Sequence, residues 1–453
     1  MDESNDTASD AVGTDRSEED QRPTVATRRK VLAGALAAGG VSALALGLPE
    51  EALASAPTDW YNVKVDYNAK GDGSTDDTTA ISNAISAANS NGGGVVYFPP
   101  GTYITGQQTL YSQVYLLGAG PAATVLQLKN SANTNLLQSY QFSSLTGTNQ
   151  EAGPTHFGIF NLSLNGNKTN NTSGDGLEIY GSSYRIQNVN IHDFPGRGIY
   201  SEWASGGTDM EAHLYSFKVY NCGGDGIDWN SPHDSVLHQF QVFNNGSSAT
   251  GIWINNANGA GTVFIGGHVW GTHTYAWRLE WGAYLIGCEG EGASSIQCYI
   301  RGPDGVISGC HFFGGNGYGI QFGATNNNAN RWIVDMKISN CPSGGINFIS
   351  GYEQNNIIHA HILPATGASA YVGTPHTTDS IEFVVDDGSG DNAQCFHQHH
   401  GATSIGSAGT ATGFFGSSGT TKPTITGSKS GNAALASLIT ALANLGLVTD
   451  STT

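Results

Sequence analysis

The chain has 453 residues, 38% hydrophobic and only 12% charged, with 63 glycines and a formal net charge of −19. That length suffices for one long domain or two ordinary ones, and the recurring apolar and aromatic runs exclude a disordered chain. So acidic a surface repels nucleic acid and anionic lipid, and it weighs against a strongly anionic polymer as ligand unless bases cluster locally.

Residues 1–56 read as an acidic leader and signal peptide. Thr27-Arg28-Arg29-Lys30-Val31-Leu32 resembles a twin-arginine motif, and an Ala/Gly/Leu stretch follows to about Leu48. Small residues then offer cleavage after Ala54 or Ala56. A secreted protein with no membrane attachment after signal removal is expected, because no later segment is long and apolar enough to span.

The next segment, VKVDYNAKGDGSTDDTTAI over Val63–Ile81, holds a helix start. Ser74 or Thr75 is the expected N-cap of a helix from about Asp76 to Asn89, with acids in its first turn. Ile81, Ala84, Ile85 and Ala88 form its apolar face. GGGVVYFPPGTY over Gly92–Tyr103 then reads as strand, turn and strand.

From about Gly158 to Tyr371 the chain repeats itself loosely. Each unit has a short alternating strand, a Gly/Asn turn and a second short apolar strand. Leu177, Ile199, Ile227, Ile252, Leu279, Ile320 and Ile346 mark successive units, with Cys298 between Leu279 and Ile320. A period of this size without helical pattern reads as a β-solenoid, in which each coil buries its inward residues only against its neighbours. Asp193, Asn221 and Asn340 sit at one position of the repeat and are expected as a polar ladder at a corner. Of six cysteines, Cys288 and Cys310 fall at matching positions. Stacked thiols are one reading of that pair; a disulfide is the other, since neighbouring coils are within disulfide reach.

The segments Val63–Ile81 and Gly92–Tyr103 closely resemble the entry of pectate-lyase-like proteins, a group that includes rhamnogalacturonases, polygalacturonases, lyases, epimerases and phage tailspikes. The resemblance implies an all-β, single-stranded right-handed parallel β-helix over residues 57–390, sealed at its start by the N-terminal helix. Residues 391–453 form a smaller C-terminal extension. Its Gly413–Gly416 and Lys422–Ile439 stretches resemble the ends of phage fibres and tailspikes. There, Ala434, Leu435, Leu438, Ile439, Leu442 and Leu445 make one helical face, to dock on the chain itself or to form a homotrimer.

Neighbouring residues in a strand face opposite ways. If the marker residues point inward, the residue after each points out. That column is Glu178, Tyr200, Asp228, Trp253, Glu280, Tyr299, Gln321 and Asn347, a mixture of acids, aromatics and amides suited to sugar rings and hydroxyls. Trp229 and Trp281 fall on the opposite parity and are expected in the core. Two glycine-flanked acids, Asp175 and Asp225, resemble the acid-bearing turns of polygalacturonase-type hydrolases, and Gly266-Gly267-His268 faintly resembles that family's His turn. The family's Asp-Asp pair and Arg-x-Lys motif are absent here.

Glycoside hydrolysis needs one carboxylic acid and one carboxylate, roughly 6.5–9.5 Å apart for inversion. Coils stack at roughly 4.8 Å, so Glu178 and Asp228, two coils apart, would lie about 9.6 Å from one another, at the upper edge for inversion. Catalytic candidates are therefore Asp228, Glu178, Glu202, Asp225 and Glu280. Substrate-binding candidates are Tyr200, Trp253, Arg278, Tyr299, Gln321 and Asn347. The expected partner is a polysaccharide, and the expected chemistry needs no cofactor or metal. Two alternatives stand beside it. A lyase acting by β-elimination on a uronate polymer would use Arg185, Arg197, Lys218 or Arg278, with Ca²⁺ in support. A non-catalytic, tailspike-like glycan binder would use the wall alone. His397-Gln-His399-His400 reads as an incidental polar stretch more readily than a metal site.

Overall fold

The computed structural model describes residues 59–145, 153–202, 211–230, 232–255, 261–386, 392–399, 402–405, 424–444 and 448–453. The leader and signal peptide lie outside the described residues, as do the side chains of the His397–His400 cluster. The chain is a parallel β-solenoid of about 13 turns, as the repeat predicts.

One face of the solenoid is an 11-stranded parallel sheet. It runs through Gln108–Leu110, Leu137–Ser139, Leu177–Ile179, Ile199–Glu202, Ile227–Asn230, Thr250–Asn255, Tyr275–Leu279, Ile296–Ile300, Tyr318–Phe322, Gly344–Phe348 and Tyr371–Val372. Every rung alternates inward and outward residues. The inward ladder Leu177, Ile199, Ile227 and Ile252 continues through Trp277, Cys298, Ile320 and Ile346, all buried. Fully burying one such aliphatic side chain is worth about 1.5–3 kcal/mol, so the stack rather than any single coil supplies the stability.

One rung departs from the expected register. Ile252 pairs with Trp277, and Leu279 pairs with Ile254. Both Trp277 and Leu279 point inward and are fully buried, so a shift of two residues leaves the apolar pattern unchanged. Trp229 is in the core as expected, whereas Trp281 is only half-buried.

The corner ladder forms. Asp193, Asn221, Asn244 and Asn340 all take left-handed φ between 52° and 58°, which Asn and Asp tolerate better than most residues. The Asn221 amide donates to the Asp193 carboxylate. Cys288 and Cys310 are free buried thiols rather than a disulfide, with the Cys288 amide 3.3 Å from Cys310 Sγ.

The capping helix spans Thr78–Ser90 and starts later than expected. Ser74 and Thr75 cannot cap it, because both bind Asp72 in the short strand before it. Asp77 takes the cap position, but its carboxylate accepts from the Lys70 and Gly71 amides, tying the helix to the preceding turn. The first turn holds no acid. Ile81, Ala84, Ile85 and Ala88 are buried, so the apolar face is as predicted.

At the other end, parallel pairing stops where strand Ser380–Asp386 meets the antiparallel strand Asn392–His399. The C-terminal helix is Ala433–Asn444. Ile439 is buried, but Leu435 and Leu438 are exposed. No helix among the described residues is long and apolar enough to cross a membrane.

Candidate active site

The outward column of the 11-stranded sheet is continuous. In register it reads Glu178, Tyr200, Asp228, Trp253, Arg278, Tyr299, Gln321, Asn347. Seven of the eight residues expected there are present. Glu280 is the exception: the two-residue register shift puts Arg278 in its place. Glu280 instead falls in a second outward column with Glu202, Asn230 and Asn255.

Around Asp228 the wall is acidic and tightly bonded. Arg197, at the turn before its strand, bridges two carboxylates. Its Nε and Nη2 donate to Asp175 Oδ2 at 3.0 and 2.7 Å, and its Nη1 donates to Asp228 Oδ2 at 2.9 Å. The Arg197 amide also donates to Asp175 Oδ1 at 2.6 Å. Asn255 Nδ2 lies 3.3 Å from Asp228 Oδ1. Despite Arg197 and Asn255, burial pushes the Asp228 carboxyl above the usual carboxylate range. One rung away, the Tyr200 hydroxyl donates to Glu202 at 2.6 Å, and burial raises its own pKa well above the phenol range.

Glu178 lies two rungs from Asp228 with Tyr200 between them. Burial raises its pKa, and the neighbouring Asp175 and Glu202 charges add to this. The 2.6 Å bond from Gln138 Nε2 only partly opposes the rise. Asp225 is also raised by burial, but it faces a backbone amide, that of Thr250 at 2.5 Å, and so holds a corner. The glycine-flanked acids thus divide: Asp175 fixes Arg197 and Asp225 fixes a turn.

Farther along, the charge reverses. Arg278 Nη2 lies 2.6 Å from Glu280, and Arg301 Nη1 bonds the same carboxylate. Two guanidiniums therefore share one acid, whereas Arg197 is shared between two acids. The wall is acidic from Glu178 to Asp228 and basic from Arg278 to Arg301.

The aromatic rings in the column are not bare platforms. The Arg197 guanidinium lies 3.6 Å from the Tyr200 ring centre, Arg278 lies 4.2 Å from that of Trp253, and Arg301 lies 5.5 Å from that of Tyr299. Farther down, the Asn347 amide donates to Gln321 at 2.9 Å. His268 lies on the other sheet, 3.1 Å from Glu291, and has no place in this site. Arg185 and Lys218 are on that sheet as well. Among the described residues, no group of three or more His, Cys, Asp or Glu side chains is placed to hold a metal ion.

Arg197 was legible in the sequence as a base but not as a clamp. It lies two residues before its marker, as Asp175 and Asp225 do, and a list of that column would have paired them. Gln138, Asn255 and Arg301 gave no such signal, since amides and bases outside the repeat consensus are common on any solvated face.

Comparison with known proteins agrees with this architecture. Residues 60–274 match the family described as Rhamnogalacturonase A/epimerase, pectate lyase-like. Alginate lyase 7 of Azotobacter vinelandii is 41% identical over 126 residues, 25% of this chain and 13% of that protein. Mannuronan C5-epimerase AlgE4 of the same organism is 38% identical over 189 residues, 39% of this chain and 28% of the epimerase. The matches thus span under a third of either relative's length. The solved A-module of that epimerase superposes with a TM-score of 0.51 at 20% identity, covering 71% of this chain and 97% of the module. The Dettilon tailspike protein superposes with a TM-score of 0.52 at 15% identity, covering 71% and 70%. At these identities the two superpositions speak to the fold alone.

Proposed function

We propose that this chain, a parallel β-helix of the pectate-lyase-like kind, is a polysaccharide-cleaving hydrolase that uses Glu178 and Asp228. Glu178, held toward its neutral form by burial, protonates the leaving glycosidic oxygen. Asp228, whose charge is supported by Arg197 and Asn255, activates water on the opposite face of the sugar. Their separation of two rungs, about 9.6 Å at the backbone, suits inversion more than a covalent intermediate. The observation that carries the reading is the pair itself: a half-buried Glu178 and a buried Asp228 on one outward column, both carboxyls shifted above the usual carboxylate range by desolvation. That both sequence relatives are named for enzymes acting on polysaccharides supports the substrate class.

A second reading has its own observation. Arg278 and Arg301, sharing Glu280, leave a surplus positive charge on the wall. A sugar carboxylate could be neutralised there, as β-elimination from a uronate polymer requires. Product analysis separates the two: hydrolysis adds the elements of water, and elimination leaves an unsaturated end that absorbs in the ultraviolet. Under the first reading, Asp228→Asn lowers turnover at least ~100-fold with the fold intact by circular dichroism. Near-normal turnover in that variant would remove Asp228 from the mechanism.

The setting is proposed as extracellular, on the strength of the Arg28-Arg29 segment and the small residues at Ala54 and Ala56. Self-association as a homotrimer is proposed on two further grounds. Leu435 and Leu438 are exposed on the C-terminal helix. On the solenoid's other sheet, Tyr284, Val306, Ile333 and Ile357 stack in register as an outward apolar stripe beside Ile286. Tyr284, Ile286, Ile333 and Ile357 are all exposed.

A further inference from the structure

The 11-stranded sheet continues past Glu178 toward the capping helix for two more rungs, through Leu137–Ser139 and Gln108–Leu110. Leu110 and Ser139 point inward and are buried, so the residues that follow them, Tyr111 and Tyr140, open outward on the same wall. Their rings lie 5.1 Å apart, tilted by 34°, and Tyr140 is 45% exposed. Among the described residues no guanidinium lies over either ring, unlike those of Tyr200, Trp253 and Tyr299.

The two tyrosines line an open hollow of about 360 Å³ with Asn89, Ser112, Gly153 and Pro154. Asn89 comes from the last turn of the capping helix, so the helix that seals the solenoid also forms one side of the hollow. Among the described residues none that lines the hollow is charged, in contrast with the wall from Arg197 to Arg301.

We infer that this hollow is a binding subsite for uncharged sugar residues of the same polysaccharide, placed at the far side of Glu178 from Arg278. The inference rests on reading the wall as a polysaccharide groove. The chemistry is specific: a pyranose has an apolar C–H face for a tyrosine ring and a rim of hydroxyls for an amide and a hydroxyl. An ionised sugar would find no counter-charge among the described lining residues. Rungs repeat at about 4.8 Å, close to the length of one extended sugar unit. Tyr140 and Tyr111 lie one and two rungs beyond that of Glu178 but two residues further along their strands, in register with Glu202, while Gln138 and Thr109 continue the Glu178 column itself. Continuity of the sheet, with the tyrosines in register with Glu202, makes the occupant a stretch of the chain being cleaved. The substrate then presents neutral residues on the Tyr111 side of the scissile bond, and any anionic group falls on the Arg278 side.

The test uses full-length Asp228→Asn protein, to hold ligands uncleaved, and two probe sets matched in length: neutral hexasaccharides, and oligouronates of six residues. Binding is followed by calorimetry and by saturation-transfer NMR. The neutral hexasaccharides are expected to bind, and Tyr140→Ala is expected to weaken them about tenfold, the equivalent of one stacking contact. Asn89→Ala, at an exposed position, serves as the second variant should Tyr140→Ala not fold. In the active protein Tyr140→Ala should raise KM for long chains and leave KM for trimers unmoved. Equal affinity of parent and both variants for every probe overturns the subsite while leaving the hydrolase reading intact. Weakened binding by Tyr140→Ala, in a protein where Asp228→Asn still turns over, upholds the subsite and removes the catalytic assignment. Absence of binding to any probe overturns both.

Discussion

At the scale of single residues, the site depends on Arg197. One guanidinium serves Asp175 and Asp228 and covers Tyr200, and only a planar fork of donors meets all three demands. Arg197→Lys keeps the charge but cannot reach both carboxylates. The loss of charge-assisted hydrogen bonds should cost about 2 kcal/mol, read as a lower thermal midpoint. Asp228 is already raised by burial, and without the bridge it rises further. As the base it must be ionised, so activity appears as pH climbs through its pKa. The acidic limb of the kcat/KM profile should therefore move to higher pH in Arg197→Lys. A limb that stays in place would mean that Arg197 does not govern Asp228.

At the scale of elements, each end of the solenoid solves a different problem. The capping helix covers the first coil with four small or aliphatic residues, and this stops the sheet from offering a raw edge. Near the last coils, the short strand Glu353–Gln354 brings Glu353 beside Asp379, two acids together out of water. Glu353 Oε2 and Asp379 Oδ2 both accept from the His376 amide at 3.2 Å, and the Asn356 amide donates to Asp379 at 2.8 Å. Burial, with the adjacent Asp379 carboxylate, pushes Glu353 up to about 9. A carboxyl raised in the folded state favours folding fully below its unfolded pKa. That contribution then falls as pH rises toward the folded value. Stability should therefore decline between about pH 4.5 and 9. Glu353→Gln supplies a neutral donor at every pH, so it should flatten that decline and raise the thermal midpoint at pH 8. Parallel curves for the two proteins would show that Glu353 is not the titrating group.

At the scale of the whole molecule, the exposed apolar stripe and the C-terminal helix are surfaces for self-association, and the proposed homotrimer is tested by mass in solution. Light scattering should report about three times the chain mass, falling on removal of residues after Thr421 if the helix contributes. A single-chain mass for the full-length protein would end the trimer proposal. The polarity of the long wall, acidic at Glu178–Asp228 and basic at Arg278–Arg301, is likewise a property of stacked coils and of no single one.

What the sequence determined by itself is the solenoid, its inward ladder and most of the outward column. Those follow from alternation within one strand and from Gly, Asn and Asp at corners, all local to a coil. Asp228, Glu178, Tyr200 and Trp253 could be placed on one wall for that reason. The stacking register was decided only in three dimensions. A slip of two residues keeps every side chain on its own face, so hydrophobic patterning could not tell Trp277 from Leu279, or Arg278 from Glu280. The same holds for the Arg197 bridge, the thiol pair and the uncharged hollow at Tyr140. Each is a contact between coils more than twenty residues apart, and packing between coils alone chooses such partners.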